Sequence, residues 1–328
     1  MSGSANTVND WIDTYLTREE PRSKSLIVSV FGDAIAPYAR GVWLGELIQL
    51  MQAFRLSERL VRTSAFRLID EGWLSAERQG RRSFYALTRS GAERFEAAYE
   101  HIYQPPEEHW DGKWTLVVLQ RAADPTPERN ELRRDLEWSG FALLANGVFI
   151  HPSAPVAATR EAVERSGLSD RAIVFRAATN GVDERETDDA RVLSSWDMEE
   201  VRSRYVRFLK IFAPLEELTT SHPLTPANAF QVQTLLIHSF RRANLHDPCL
   251  PTPLLPSQWP GRQAFDLCRN IYTRTCPLAH QHVGQVAGID TSIAAGTRLN
   301  MHVEARFGGW AKTGRDTVLQ SPRTLPSR

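Results

Sequence analysis

The sequence predicts an α+β chain of several domains, and three observations carry that prediction. Apolar residues recur at helical spacing from residue 26 to residue 72, and the period then drops to two over residues 73–87. Between residues 110 and 180, strand-like and helix-like stretches follow one another in the order β-α-β-β-α-β. After residue 195 the apolar positions return to steps of three and four without a strand-like run. A length of 328 residues fits two or three domains of roughly 100–200 residues each.

Taken in order, residues 1–24 are polar, end near Pro21, and are expected to form a flexible arm. The first domain is expected over residues 25–104. Leu26, Val30, Phe31, Ala34 and Ile35 mark one helix, broken at Pro37 and Gly41. A second helix is expected from about Trp43 to Phe54, with Leu44, Leu47, Ile48 and Met51 on one face. Ser57 is placed to cap a third helix, which Gly72 closes. Two short strands, 73–78 and 83–87, then flank the charged turn Gln79-Gly80-Arg81-Arg82, and a helix runs from about Ser90 to Tyr103. Three helices followed by a hairpin is the order of a winged helix-turn-helix.

After the linker at Pro105-Pro106, the second domain is expected over residues 110–180. Its first strand is Trp114–Leu119, followed by a helix over about 128–138. Asn146-Gly147 is a strong hairpin signal between 141–144 and 148–150. A helix over about 156–166 and a strand at 172–175 complete the split βαββαβ order of a ferredoxin-like domain. Residues 178–194, with Asp183, Glu184, Glu186, Asp188 and Asp189, are expected to be a solvated connection.

The third domain, residues 195–290, is expected to be helical. Met198, Val201, Tyr205, Phe208, Phe212 and Leu215 mark one helix that Pro214 should end. Pro226–Asn244 marks a second, and about 262–275 a third, stopped before Pro277. A proline-rich loop, 247–261, lies between them. Residues 291–328 are polar and expected to be mobile.

Composition narrows the function. The hydrophobic fraction is 42% and the charged fraction 24%, which excludes a wholly disordered chain, a collagen-like chain and a small disulfide scaffold. No apolar run approaches the roughly 20 residues of a membrane span. Asp10, Asp13, Glu19 and Glu20 at the start are unlike a signal peptide, so a cytoplasmic location with no membrane partner is expected. Cys249, Cys268 and Cys276 form no CxxC pair, so reduced thiols and no structural metal are expected. His280 and His282 lie two apart and are read as surface residues. GxxxxGK[ST], GxGxxG and GxSxG are all missing, so no cofactor, no catalytic residue and no enzyme activity are expected.

Lys+Arg and Asp+Glu both number 39, so the chain carries zero net charge and only a local basic patch is possible. Residues 55–94 supply one, with nine arginines against five acids. On the third helix Val61, Ala65, Leu68 and Ile69 form the apolar face, while Arg59, Arg62, Thr63 and Arg67 fall away from it. An arginine near the start of such a helix can reach guanine O6 and N7 in the major groove. Ser57 and Ser64 can donate to phosphate oxygens, and Arg78, Arg81 and Arg82 crowd the hairpin tip. This asymmetry predicts a double-stranded DNA interface made of Ser57, Arg59, Arg62, Thr63, Arg67, Arg78, Arg81 and Arg82. Arg59 and Arg62 are assigned to base edges, and Arg81 and Arg82 to phosphate or the minor groove.

Two other constellations compete for a role. Small βαββαβ domains of the Cas2 type are associated with metal-dependent nuclease activity, using an aspartate at the end of the first strand. Here that strand ends Leu119-Gln120-Arg121 and the first aspartate, Asp124, comes later, so no Mg²⁺ site is expected. On the helix from Pro226, Gln231, Thr234, His238, Arg241 and Arg242 form a polar stripe. Its histidine and arginines could converge on an anion, with Trp259 and Tyr272 on neighbouring elements supplying apolar walls. A winged-helix adaptor whose C-terminal block binds a partner protein is the remaining alternative.

Several stretches together resemble the PaaX family. They are Gly41-Val-Trp-Leu-Gly-Glu-Leu, Glu58 through Leu68, Glu71-Gly-Trp-Leu and Gly80-Arg-Arg-Ser-Phe-Tyr, then Trp110-Asp-Gly-Lys-Trp-Thr-Leu. Later come Leu236-Ile-His, Arg241-Arg242, Asp247-Pro248, Leu250-Pro251, Leu254-Leu255-Pro256 and Trp259. The resemblance covers about residues 25–285. It implies a winged-helix domain, a Cas2-like middle domain and a helical C-terminal domain. It also implies a homodimeric repressor of phenylacetate catabolism that phenylacetyl-coenzyme A releases from DNA. The family does not say which residues hold that effector. His238, Arg241, Arg242, Trp259 and Tyr272 are therefore candidates from the pattern alone.

Overall fold

A computed structural model of the chain describes residues 7–120, 126–179, 188–245, 247–291 and 303–309. The chain divides into two compact units. The first comprises Met1–Pro105, Phe212–His238 and Leu267–Arg328, and the second Pro106–Ile211 and Ser239–Asp266.

The first unit opens with α1 (Val8–Glu19), where a loose arm was expected. Val8, Trp11, Ile12, Tyr15 and Leu16 recur at helical spacing and are all buried, and the Thr7 side chain caps the helix by accepting from the Asp10 amide. Burial of a tryptophan, a tyrosine and three aliphatics outweighs the polar composition of the segment. The next helix is α2 (Ser23–Val30), which continues as a π-helical turn over Phe31–Ile35. Then come β1 (Gly41–Trp43), α3 (Leu44–Gln52), α4 (Glu58–Asp70), β2 (Leu74–Gln79), β3 (Arg82–Leu87) and α5 (Arg89–Tyr103). The three strands form an antiparallel sheet in the order β1-β3-β2. The short strand β1 was not anticipated. It pairs Gly41 with Ala86 and Trp43 with Phe84. Only glycine fits at position 41, since a Cβ there would lie 2.1 Å from the Tyr85 carbonyl oxygen.

The second unit contains β4 (Trp114–Leu119), α6 (Pro127–Trp138), β5 (Ala142–Ala145), β6 (Val148–His151), α7 (Val156–Arg165) and β7 (Ala172–Ala177). The sheet order β5-β6-β4-β7 puts the first and third strands in the centre, the split βαββαβ arrangement expected. Alternation along β4 sends Val117 and Leu119 into a cluster with Leu132, Leu136, Phe149 and Val163. Trp114 faces the other way, with Ala142, Ile150 and Val192. Val192 lies on α8 (Asp188–Leu193), a short helix where only a solvated connection was expected. Its Asp189 accepts from the Trp114 indole at 3.1 Å. Asp183, Glu184 and Glu186, and Asp124, lie outside the described residues.

The helical C-terminal region consists of α9 (Met198–Ser221), α10 (Pro226–Asn244) and α11 (Pro260–Ala287). It is not a third compact unit. Each helix contributes residues to both units. Two helix ends differ from expectation, because α9 continues through Pro214 and α11 through Pro277. A proline inside a helix removes one hydrogen bond and crowds the preceding turn. Buried residues beyond each proline offset that cost: Leu215 and Thr219 in α9, and Ala279, His280 and Val283 in α11.

A buried polar hub crosses the first unit. Asp33, in the π-helical turn and 3% exposed, accepts from the Tyr103 hydroxyl at 2.6 Å and the Tyr272 hydroxyl at 3.2 Å. Its other oxygen accepts from the Gln233 amide at 2.7 Å. Arg306, 0% exposed, donates to the Asp33 carboxylate at 2.8 Å and to the Asp33 carbonyl at 3.1 Å, and also to the Tyr272 hydroxyl. The guanidinium lies 4.4 Å from the Tyr103 ring centre. Arg306 belongs to a short helical turn, Val303–Gly308, in a tail expected to be mobile throughout. The rest of that tail beyond residue 309 lies outside the described residues. His280 is also buried rather than a surface residue. Its Nδ1 lies 2.7 Å from the Tyr38 hydroxyl, and burial pulls its pKa down to about 4.

Candidate nucleic-acid interface

The sequence-nominated cations gather on one helix and one hairpin of the first unit. Ser57 caps α4 by accepting from the Leu60 amide at 3.3 Å, which frees Glu58 onward to be helical. Val61, Ser64, Ala65 and Leu68 form the buried side of α4. Ser64 is thus turned inward, against Ser23, and cannot reach a phosphate. The opposite side exposes Arg59, Arg62, Thr63, Phe66 and Arg67. Thr63 donates back to the Arg59 carbonyl at 2.9 Å, which fixes its rotamer. Arg62 is held by Glu58, one turn earlier, at 2.7 Å. Neither Arg59 nor Arg67 engages its side chain with any described residue.

In the β2–β3 hairpin, Gln79 pairs with Arg82, leaving Gly80 and Arg81 as a two-residue loop. Gly80 has φ +62°, the positive value the first position of such a loop requires. Arg81 is exposed at the tip, and Arg78 turns back to the Gly80 carbonyl at 3.2 Å. Arg82 has an internal task that the sequence did not reveal. Its guanidinium lies 4.3 Å from the Trp43 ring centre and pairs with Glu46 of α3. It ties the hairpin to β1 and α3. On the same sheet face Arg40 stacks on Phe84 and pairs with Glu77 at 3.2 Å.

The five effector candidates are divided between the two units. His238 is 1% exposed, with Nδ1 3.5 Å from the Ser29 hydroxyl, and Tyr272 is buried in the Asp33 hub. Both are core residues of the first unit. Thr234, on the same expected polar stripe, is buried as well. The reason is helical: α10 has buried positions nearly all round over 229–240, so polar residues there are drawn into the interior. Arg241, Arg242 and Trp259 belong to the second unit, where Trp259 packs edge-on against Tyr205. A cavity of about 450 Å³ in the first unit is lined by none of the five. Its walls include Tyr38, Arg40, Trp43, Phe84 and Asp290. Among the described residues, no group of three His, Cys, Asp or Glu side chains is placed to hold a metal ion. No helix among them is long and apolar enough to cross a membrane.

Phe66 was missed by sequence reasoning. Its only signal was that a large apolar residue sits off the apolar face of its helix. Asp33 and Arg306 carried no signal, since nothing in the sequence pairs residues that far apart.

Comparison with known proteins places three family models in order along the chain. The PaaX-like protein model matches residues 22–91, the PaaX protein central Cas2-like domain residues 107–189, and the PaaX-like protein C-terminal domain residues 196–285. The chain is 37% identical to the transcriptional repressor PaaX of Escherichia coli (strain K12) over 287 residues, 87% of this chain and 90% of that protein. Among solved structures it is similar to the uncharacterised protein Rv0674 from Mycobacterium tuberculosis, with 23% identity and a TM-score of 0.43. That match covers 71% of this chain and 89% of the other.

Proposed function

The chain belongs to the PaaX family, and from that membership we propose that it is a DNA-binding transcriptional repressor of phenylacetate catabolic genes, released by phenylacetyl-coenzyme A. The observation that carries the DNA reading is the exposed, arginine-bearing side of α4, beside a hairpin with Arg81 at its tip. We read α2, α3, α4 and the β1-β3-β2 sheet as a winged helix-turn-helix, with α4 as the recognition helix. Arg59, near the start of α4, is suited to a guanine edge, and Arg81 to a phosphate. Arg62 can turn to DNA by leaving the exposed Glu58 carboxylate, whereas Arg82, seated on Trp43 and paired with Glu46, holds the hairpin rather than a phosphate.

The protein is read as a cytoplasmic homodimer whose operator is an imperfect palindrome, with half-sites about 10–10.5 base pairs apart or a multiple. The effector reading rests on family membership. Arg241, Arg242 and Trp259 of the second unit remain its proposed contacts, and His238 and Tyr272 are withdrawn. Release requires that the thioester bind the DNA-incompetent state better, with a coupling of about 1–3 kcal/mol that operator DNA returns on the effector.

A gel-shift titration of the DNA upstream of this protein's own operon tests the reading. Retardation should appear with protein alone and disappear with phenylacetyl-coenzyme A, but persist with free phenylacetate. The joint replacement Arg241→Ala and Arg242→Ala should keep retardation and abolish release. Retardation that phenylacetyl-coenzyme A leaves unchanged would reject the effector. Calorimetry showing full thioester affinity in the double variant would move its site elsewhere.

A further inference from the structure

Phe66 is the most exposed of the large hydrophobic residues described, at 60%. It lies on the helix that presents the cations, not on a face that packs. At 3.6 residues per turn, Arg59, Thr63, Phe66 and Asp70 step by four, three and four down the side directly opposite Val61, Ser64, Ala65 and Leu68. Phe66 is therefore at the outermost line of α4, between Thr63 and the acidic end at Asp70. Arg62 and Arg67 flank that line on either side, and Arg59 heads it. The ring contacts no other ring among the described residues.

Single exposed apolar side chains are ordinary on a protein surface, but a phenyl ring ringed by arginines gains free energy when a partner of matching charge covers it. The occupant must accept a cationic rim and offer an apolar spot at its centre. Duplex DNA does both. Its phosphates meet Arg67 and Arg81, and the floor of its major groove carries one apolar group, the 5-methyl of thymine. We propose that Phe66 reads that methyl group, so that α4, whose Arg59 and Phe66 are seven residues apart, specifies a guanine at Arg59 and a thymine about three base pairs further along the groove. The inference rests on the reading of α4 as a recognition helix, and it adds the residue that makes the protein prefer thymine.

The test uses the full-length chain. Duplexes are first enriched from a random-sequence library by repeated binding. Each thymine of the enriched site is then replaced in turn by deoxyuridine, which removes one methyl group and keeps every hydrogen bond. The wild-type protein should lose affinity about fourfold or more at one position per half-site, the effect expected of one buried methyl group. Phe66→Ala should bind the thymine duplex about as weakly as wild type binds the uracil duplex, and should no longer tell the two apart. Phe66→Leu should keep part of the discrimination. Equal wild-type affinity for all thymine and uracil duplexes, with a site enriched, would overturn the role of Phe66 and leave DNA recognition standing. Failure of the library to yield any preferred sequence would overturn the DNA reading itself and this inference with it. A third outcome is Phe66→Ala sedimenting as a smaller species than wild type in the absence of DNA. It would assign the face to a second copy of the chain and reject the proposal.

Discussion

Replacing Arg306 by methionine keeps most of the side-chain volume and removes the guanidinium from the Asp33 hub. The change deletes the 2.8 Å charged contact to the Asp33 carboxylate, the 3.1 Å bond to its carbonyl, and the bond to Tyr272. Asp33 then remains as a carboxylate only 3% exposed, with Tyr103, Tyr272 and Gln233 as its side-chain donors among the described residues. Breaking a buried ion pair by removing one partner costs about 3–5 kcal/mol, because the remaining charge is uncompensated. Three neutral donors offset part of that, which places Arg306→Met near the lower end, about 3 kcal/mol. Asp33→Asn alone should cost a similar amount, since it strands the guanidinium. The double variant has no buried charge, so it should be more stable than the sum of the two losses by about 2 kcal/mol, a coupling typical of directly bonded residues. Urea unfolding of the four proteins, followed by circular dichroism, measures all three quantities. An Arg306→Met midpoint corresponding to less than about 0.5 kcal/mol, the effect of an ordinary surface change, would show that the Val303–Gly308 turn does not dock in solution and refute the argument.

Two further outcomes follow from single groups. Burial lowers the pKa of His280 to about 4 in the folded chain, against an ordinary value of 6.5. An unfolded chain therefore binds a proton between those values that the folded chain does not, so stability is full above pH 6.5 and declines as pH falls towards 4. The loss approaches about 3 kcal/mol, since each tenfold difference in proton affinity is worth about 1.4 kcal/mol. His280→Gln should flatten that slope in unfolding titrations run from neutral pH down towards the folded pKa, and an unchanged slope would remove His280 as its source. For DNA, Arg59→Ala should cost about 1–3 kcal/mol and relax preference at one base pair, while Arg81→Ala should weaken all sequences alike and reduce the salt slope by about one. An operator affinity that survives joint removal of Arg59, Arg62, Arg81 and Arg82 would place the interface on another face.

Most of the architecture was legible because it is written in local periodicity. Ser57 capping α4, the Gly80 turn and the Asn146-Gly147 hairpin each depend on residues within a few positions of one another, and each is where the sequence puts it. The departures have a common cause. The helix α1 is hidden by a polar composition although its apolar spacing is in plain view. The strand β1 is three residues long and exists only because Tyr85 and its neighbours in β3 accept it. Pro214 and Pro277 are helix breakers locally, and what overrides them is the burial of residues such as Leu215 and Val283 by partners distant in sequence. The same limit governs the sites. Arg59, Thr63 and Arg67 are identifiable because helical geometry alone turns them outward. Ser64 does not belong with them, since it falls between Val61 and Leu68 on the buried side. His238 and Tyr272 look polar or amphipathic in sequence, and only the tertiary structure shows them as core.

The ion pairs on the candidate interface bear on whether it is available to DNA. Arg62 is paired with Glu58 and Arg82 with Glu46, so two of the nominated cations are already satisfied in the free protein. For Arg62–Glu58 both side chains are more than half exposed, and such pairs are worth about 0–1 kcal/mol. A phosphate that also releases condensed counterions competes readily with a single exposed carboxylate. The pair therefore does not block Arg62. It holds a long side chain near its working position, and less rotamer entropy remains to be lost on binding. Arg82 differs in kind, because Glu46 is less exposed than its partner and the guanidinium also rests on Trp43. Moving it to a phosphate would abandon a stacking contact and unfasten the hairpin from α3. Of Arg81 and Arg82, Arg81 is thus the one the proposed reading leaves available to a DNA backbone, and Arg82 the one that fastens the hairpin to β1 and α3. A hairpin so fastened makes the distance between Arg81 and Arg59 a property of the fold, and under the proposed DNA reading that fixed spacing would let one phosphate contact set the register of the bases facing α4.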